Sequence, residues 1–137
     1  MDCLGSAPGF LFMPMDAYRI KRTLKELKRA KTFHKFLHPG LSPILISTGC
    51  KFLLDNCDSS FLFDTIIKAQ ELKILKGVNY QVWTLELLRN NMSWLITCSS
   101  NCDKKPILIK SIPLSDFPLP EITIWVIQKV ALLPQEQ

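Results

Sequence analysis

The sequence predicts an α+β domain in which N-terminal helices pack on a C-terminal antiparallel meander of about four to five strands. Two observations predict this class. In the first half of the chain, apolar residues recur at spacings of three and four, the period of a helix with one buried face. From Tyr80 onward, apolar and polar residues alternate, as in strands with one buried face. Helices followed by antiparallel strands are typical of a two-layer α+β domain.

The length and composition predict a single domain. The chain has 137 residues, of which 47% are hydrophobic, enough for one core of its own. We predict an apolar tail at residues 1–15, where Pro8 and Pro14 interrupt any regular element, and one domain at residues 16–137. Asp2 and the lack of a basic start argue against a signal peptide. No apolar run approaches the roughly 20 residues that a membrane-spanning helix needs, so we expect a cytoplasmic protein.

The first predicted helix begins at Asp16 as N-cap and continues to the His38-Pro39-Gly40 stop. Its apolar stripe contains Ile20, Leu24, Leu27, Ala30, Phe33 and Leu37. A short extended segment, broken by Pro43, follows at residues 41–47. We thus expect one long helix before the rest of the helical layer.

Two further helices are predicted before the strands. Ser47 or Thr48 caps the second, which ends near Cys57, and Asp58 and Ser59 cap the third, which continues to Leu75. Gly77 then ends the helical half of the chain.

Five strands are predicted after Gly77, over residues 80–88, 92–99, 106–112, 122–127 and 130–134. Asn90-Asn91 is typical of a type I′ hairpin turn, and Asp116-Phe117-Pro118 of a corner. The last segment, Asp116 to Pro134, carries the clearest pattern. Its predicted sheet-core residues are Phe117, Ile122, Ile124, Val126, Leu132 and Leu133.

The cysteines and histidines do not predict a metal centre. The five cysteines, Cys3, Cys50, Cys57, Cys98 and Cys102, are odd in number and follow no secretory signal, which favours reduced thiols. Cys50 and Cys57 lie seven residues apart on a predicted helix, a core spacing rather than a zinc-ligand spacing. His34 and His38 could share a helix face, but no carboxylate follows at a useful spacing. We expect no metal and no cofactor.

Catalytic motifs are also missing from the sequence. It contains no nucleophile elbow, no phosphate-binding loop and no dinucleotide fingerprint. Cys50 follows Gly49 near a helix start, where a thiolate could be stabilised, so a hydrolase or redox role for Cys50 or Cys98 stays open. No base partner is evident, and we expect a protein that is not an enzyme.

Positive charge is concentrated in one segment. Between Tyr18 and Phe36 there are eight basic residues and one acid, Glu26, whereas the rest of the chain has 9 basic and 11 acidic residues. Such a face binds nucleic-acid phosphates, an anionic membrane or an acidic protein, or is the solvated outer side of a packed helix. The candidate residues for an anionic partner are Arg19, Arg22, Lys25, Lys28, Arg29 and Lys35.

The chain also resembles an uncharacterised family of small bacterial and phage-encoded proteins, classed as a domain of unknown function. The resemblance rests on "TGCKFLLDNCDSSFLFDTI", "YQVWTLEL", "ITC" and "DFPLPEITIWVIQKVALLP", which follow one another between Thr48 and Pro134. It departs from the family pattern where Thr48 directly precedes Gly49 without an aspartate, and where Phe61 or Phe63 replaces a tryptophan. A tyrosine-rich turn of the family is replaced by "FHKFLHPG".

The resemblance implies an α+β fold, a mobile-element or accessory-gene setting, and packing roles for Cys50 and Cys98; it implies no activity. We therefore expect a small, non-enzymatic cytosolic accessory protein that acts by binding another protein, in a mobile-element or defence context. The alternative is a nucleic-acid-binding protein that uses the basic first helix.

Overall fold

The computed structural model describes residues 17–88, 93–100, 105–112 and 117–137. Predictions that fall elsewhere lie outside the described residues: the tail at 1–15, the Asp16 cap, the Asn90-Asn91 turn, and the thiols of Cys3 and Cys102. The helices are α1 (Ala17–Lys25), α2 (Thr48–Asn56) and α3 (Ser60–Ala69). The strands are β1 (Phe33–Phe36), β2 (Ile44–Ser47), β3 (Tyr80–Leu88), β4 (Ser93–Ser99), β5 (Leu108–Ile112), β6 (Glu121–Ile127) and β7 (Val130–Leu132). Short 3₁₀ turns lie at Lys73–Leu75 and Pro134–Glu136.

The predicted α+β class is confirmed, but the predicted sheet was too simple. The described strands form one seven-stranded sheet in the order β1-β2-β7-β6-β3-β4-β5. The pairs are antiparallel except for β2 and β7, which run parallel. Two strands therefore come from the N-terminal half, between the helices. In addition, β6 returns to pair with β3 instead of continuing a meander after β5.

The first helix is much shorter than predicted. It ends at Lys25, and residues 33–36 form strand β1. The prediction was wrong because Phe33 and Phe36, three residues apart, match the period of a helix, whereas in the strand they lie on opposite faces. These residues form a strand and not a helix because β2 pairs with them, from Phe33↔Ser47 to Phe36↔Ile44. A continued helix would leave this edge of β2 without a hydrogen-bonding partner, and such tertiary pairing overrides local propensity.

The other two helices begin beside serines that were predicted to cap them, but only one of these serines does so. Ser47 is the N-cap of α2, and its hydroxyl accepts a hydrogen bond from the Cys50 amide at 3.2 Å. At α3, Ser59 precedes the helix as predicted, but its hydroxyl donates to the Leu53 carbonyl at 2.8 Å instead of capping the first turn. The chain leaves α3 at Ala69, and Gly77 adopts a φ of 80° before β3.

All three described helices pack against one face of the sheet. Their buried apolar side chains share a single cluster with the inward-facing strand residues. Those strand residues include Ile44, Ile46, Trp83, Leu85, Trp94, Ile96, Cys98, Ile124, Val126 and Ala131. Of the six predicted core residues near the C-terminus, Phe117, Ile124, Val126, Leu132 and Leu133 are buried, and Ile122 is partly buried against the core.

Val82 and Leu132 are buried but do not belong to that cluster. Both pair with Trp125, so the three side chains lie on the face opposite the helices. Within the described ranges, no helix contributes a buried apolar side chain to this face. The described residues therefore form two layers, and none of their helices covers the second face of the sheet.

Candidate functional site

The cationic segment, defined as residues 19–35, is exposed but does not lie on one helix. Arg19, Arg22 and Lys25 lie on α1, Lys28 and Arg29 lie in the following loop, and Lys35 lies on β1. The prediction that all six share the face of a long first helix is wrong for the last three, because α1 ends at Lys25. Lys21 and Lys31 extend the set, and all eight cations are exposed. The segment wraps one side of the molecule as helix, loop and edge strand.

The loop between α1 and β1 is attached to the C-terminal turn of the chain. The Ala30 amide donates to the Glu136 carbonyl at 2.8 Å. The Gln135 side chain donates to the Leu24 carbonyl at 3.2 Å, and the Thr48 hydroxyl donates to the Thr32 carbonyl at 3.4 Å. These contacts hold the loop in one path. Lys28, Arg29 and Lys31, together with Thr48, line a cleft of about 330 Å³.

The carboxylate of Glu136 is the most deeply buried acidic group in the described residues, with 2% of the residue exposed. One oxygen, Oε1, accepts hydrogen bonds from the Ser47 hydroxyl and the Leu133 amide; the other, Oε2, accepts from the Gly49 amide at 2.9 Å. Gly49 lies in the first turn of α2, so the carboxylate also lies at the positive end of that helix. Glu136 thus joins the C-terminus to the helical layer.

Gly49 is required by this arrangement. A Cβ atom at position 49 would lie 2.6 Å from Glu136 Oε1 and 2.8 Å from a Leu133 methyl carbon. Both distances are shorter than any ordinary contact, so a larger residue would displace the carboxylate. Sequence reasoning missed Glu136 because a glutamate near a chain end carries no periodic signal. Gly49, two residues after the capping Ser47 in the first turn of a helix, was the available hint of a close approach.

The three described cysteines are core residues. Cys50, Cys57 and Cys98 are buried free thiols. Desolvation by burial raises the pKa of Cys50 from 9.0 to about 12, with the nearby Glu136 charge adding to the rise. Burial likewise raises the pKa of Cys98 to about 12 and that of Cys57 to about 11. Thiols that stay protonated at neutral pH are poor nucleophiles, which argues against the open hydrolase or redox role.

The histidines are not brought together on a helix. His34 lies on β1 with its side chain toward the helical layer, and His38 lies in the following turn, beside the Pro39 carbonyl. Among the described residues, no group of three or more histidine, cysteine or acidic side chains is placed to hold a metal ion.

A polar cavity of about 500 Å³ lies where α3 meets the start of β3. At its wall, Gln70 and Gln81 exchange two amide hydrogen bonds at 2.9 and 3.0 Å. Gln81 also accepts from the Trp83 indole and donates to the Val78 carbonyl. All hydrogen-bond donors and acceptors of the Gln81 amide therefore have partners within the protein. Gln81 links α3 to β3 and has a structural role.

The open face of the sheet carries two apolar rows. We define the open face by Leu45, Tyr80, Val82, Trp125, Ile127, Val130 and Leu132. Tyr80, Ile127, Val130 and Leu45 are consecutive cross-strand partners in one row. Val82, Trp125 and Leu132 form the next row, and the Tyr80 and Trp125 rings contact at 5.8 Å between centroids. These seven residues are uncharged, and the first row ends at Lys35 on β1, which is the cross-strand partner of Leu45.

The family model of DUF6876, a family of unknown function, matches residues 18–137. The chain belongs to DUF6876. The match covers the resemblance first seen between Thr48 and Pro134, and extends it over α1 and the cationic segment. No match was found among the curated proteins or the solved structures.

Membership of DUF6876 brings no activity with it, because the family has no assigned function. Function has to be argued from the surfaces of this chain. In the described residues, no helix is long and apolar enough to cross a membrane. The surfaces that remain are the cationic segment, the open face and the edges of the sheet.

Proposed function

We propose that this DUF6876 member is a non-enzymatic, cytosolic accessory protein that acts by binding another protein through the open face. The observation that carries the proposal is the uncharged apolar patch in the middle of the sheet. Leu45 and Tyr80 each expose 38% of their surface, and Trp125, Ile127 and Val130 are partly exposed beside them. Contiguous apolar patches of this kind are typical of interaction sites.

The chemistry of the patch supports a protein partner. Tyrosine and tryptophan contribute large contact areas at small entropic cost and dominate the binding energy of protein interfaces. The cysteines with raised pKa values provide no activated nucleophile that would favour an enzyme instead. The mobile-element or defence setting belongs to the same proposal and is tested by the neighbouring genes.

Site-specific photo-crosslinking tests the proposal. A benzophenone amino acid is placed at Tyr80 or at Ile127 on the open face, and, as the control, at Tyr18, which is 73% exposed on α1. We expect one discrete protein adduct in the native host from the two open-face positions and none from Tyr18. The double substitution Leu45→Lys with Ile127→Lys should remove the adduct while leaving the circular dichroism spectrum unchanged. Adducts that do not depend on position, or none at all, would contradict the proposal.

Nucleic-acid binding through the cationic segment is the second candidate. The observation that favours it is the concentration of eight exposed cations, fixed in a defined path by the Glu136, Gln135 and Thr48 hydrogen bonds. A preformed row of cations gains affinity by releasing counterions from a phosphate backbone.

Charge reversal tests this candidate. The triple variant Arg22→Glu, Lys25→Glu, Arg29→Glu should lose retention on an oligonucleotide column and lower the slope of log affinity against log salt by about 2–3. The matched control is Lys68→Glu, Lys73→Glu, Lys76→Glu, which changes the net charge equally at exposed positions on and after α3. Equal losses in both variants would show that only net charge matters, and unchanged retention would exclude the candidate.

A further inference from the structure

The outer edge of β5 has no strand partner in the described part of the chain. β5 is the last strand of the sheet order and pairs only with β4. Its five residues contain no proline, and their outward backbone donors and acceptors face away from the sheet. An extended peptide can hydrogen-bond to such an edge as an added strand.

An apolar cleft lies beside this edge. It has a volume of about 230 Å³ and separates α3 from β5. Its lining consists of Thr65, Lys68, Ala69, Leu72, Leu108, Ile109 and Lys110. Leu72 is 41% exposed and Ile109 is 61% exposed, so both leave apolar surface for a ligand to cover.

Strand alternation fixes what an added strand would meet on each side. Leu108 and Lys110 face the helical layer, because their partners on β4, Cys98 and Ile96, lie in the core cluster. Ile109 faces the opposite side, next to Thr97. Alternate side chains of an added strand would therefore meet either the cleft with its two lysines or the exposed Ile109.

The positive charge at the cleft favours an acidic ligand. Lys68 and Lys110 are exposed at its rim, and none of the residues that line it is acidic. An incoming carboxylate gains two nearby cations, whereas an incoming lysine is repelled.

A second copy of this chain fits the edge poorly. Lys110 is the central residue of β5, so antiparallel pairing of two β5 strands about their centres would place Lys110 opposite Lys110. Like charges directly opposite one another destabilise a strand pair. Lysine on an edge strand is also a common device against pairing with identical strands.

We propose that the β5 edge and its cleft bind an extended acidic segment of a partner protein by strand addition. In the bound segment, carboxylates alternate with aliphatic side chains. The carboxylates lie toward Lys68 and Lys110, and the aliphatic side chains cover Ile109. Ile109 lies on the same side of the sheet as the open face, with β4 between β5 and β3, the nearest strand that carries open-face residues.

Fluorescence anisotropy with two labelled peptides tests the proposal on the full-length protein. The probes are Val-Glu-Val-Glu-Val-Glu-Val and its counterpart with lysine in place of glutamate. We expect the glutamate peptide to bind at low salt, and Lys110→Glu to weaken it by about tenfold and reverse the preference between the peptides. Lys76→Glu, at an exposed position outside both the cleft and the cationic segment, changes the net charge equally and should leave the affinity unchanged.

Hydrogen exchange locates the bound peptide. Amides of β5 should gain protection, because strand addition pairs the outward backbone groups. Equal binding of both peptides, no binding, an equal loss in Lys76→Glu, or protection confined to other strands would each overturn the proposal. The open-face variant Leu45→Lys with Ile127→Lys should still bind the glutamate peptide, so failure of the open-face proposal is distinguishable from failure of this one.

Discussion

Replacing Glu136 by glutamine removes one charge from a site that is built around a carboxylate. Glutamine keeps one oxygen, which can accept from the Ser47 hydroxyl and the Leu133 amide as Oε1 does now. Its NH₂ group then faces the Gly49 amide, which at present donates to Oε2 at 2.9 Å. Two donors would face each other in a position that excludes water, and the N-terminus of α2 would lose its anion.

The magnitude follows from these two losses. A buried amide left without an acceptor costs about 1–3 kcal/mol. Loss of the anion at the helix N-terminus adds about 0.5–1 kcal/mol. We therefore expect Glu136→Gln to lower the free energy of unfolding by about 2–4 kcal/mol. With an unfolding entropy of about 2.1 cal/mol/K per residue, this lowers Tm by roughly 7–14 °C.

Denaturant and thermal unfolding monitored by circular dichroism measure this loss. Glu121→Gln is the matched control, because Glu121 is exposed on β6, and it should change stability by less than about 0.5 kcal/mol. Hydrogen exchange should also increase in residues 26–32, since the Glu136 carbonyl holds the Ala30 amide. If Glu136→Gln unfolds like the control, the reasoning about the carboxylate is refuted.

Three further predictions concern the same fold. Gly49→Ala should lower the free energy of unfolding by about 2 kcal/mol or more. The double variant with Glu136→Ala should lose less than the sum of the two single losses, because truncating Glu136 opens the space that a Cβ would need. Additive losses in denaturant titrations would contradict the close contact. In the β6–β7 turn, Gln128 and Lys129 have positive φ of 50° and 66°, which asparagine and glycine tolerate better. Gln128→Asn with Lys129→Gly should therefore raise the free energy of unfolding by about 1–2 kcal/mol. A lower Tm would show that another contact outweighs the turn preference. Peptide mass spectrometry should show that Cys50, Cys57 and Cys98 resist iodoacetamide at pH 8 until the protein unfolds. Burial raises their pKa from 9.0 to about 11–12, so thiol ionisation favours the unfolded chain as the pH rises through that range. The free energy of unfolding should therefore fall between about pH 9 and 12. Rapid labelling of the folded protein would show that these thiols are accessible.

Local pattern predicted β3 correctly because its own residues carry strong strand signals, although it also pairs with the distant β6. Its nine residues alternate, contain Val82, Trp83 and Thr84, and follow a glycine with positive φ. The prediction was wrong for β1 because the conformation of this segment depends on its partner strand. The two phenylalanines among its four residues have helical spacing, and the strand conformation depends on pairing with β2, whose Ile44 pairs with Phe36.

The parallel pairing of β2 with β7 could not be predicted from any window of the sequence. Leu45 pairs with Val130, and the 84 residues between them include most of the fold. The Glu136 contacts to Ser47 and Gly49 have the same non-local origin. By contrast, the cationic segment was found by counting charge, which does not depend on whether Lys28 or Lys35 is helical.

The distribution of charge over the sheet distinguishes its edges, which oppose pairing with identical strands, from the apolar rows at its centre. Each edge strand carries a lysine, Lys35 on β1 and Lys110 on β5, and lysine on an edge opposes pairing with identical strands. The two rows at the centre of the open face carry no charge, and the acidic pair Glu86 and Glu121 lies beyond them on the same face. If the open face only met solvent, polar residues would be expected in its central rows, as along the outer side of most two-layer sheets. Lysines at the edges and apolar rows at the centre therefore both support the proposal that a partner protein covers the open face.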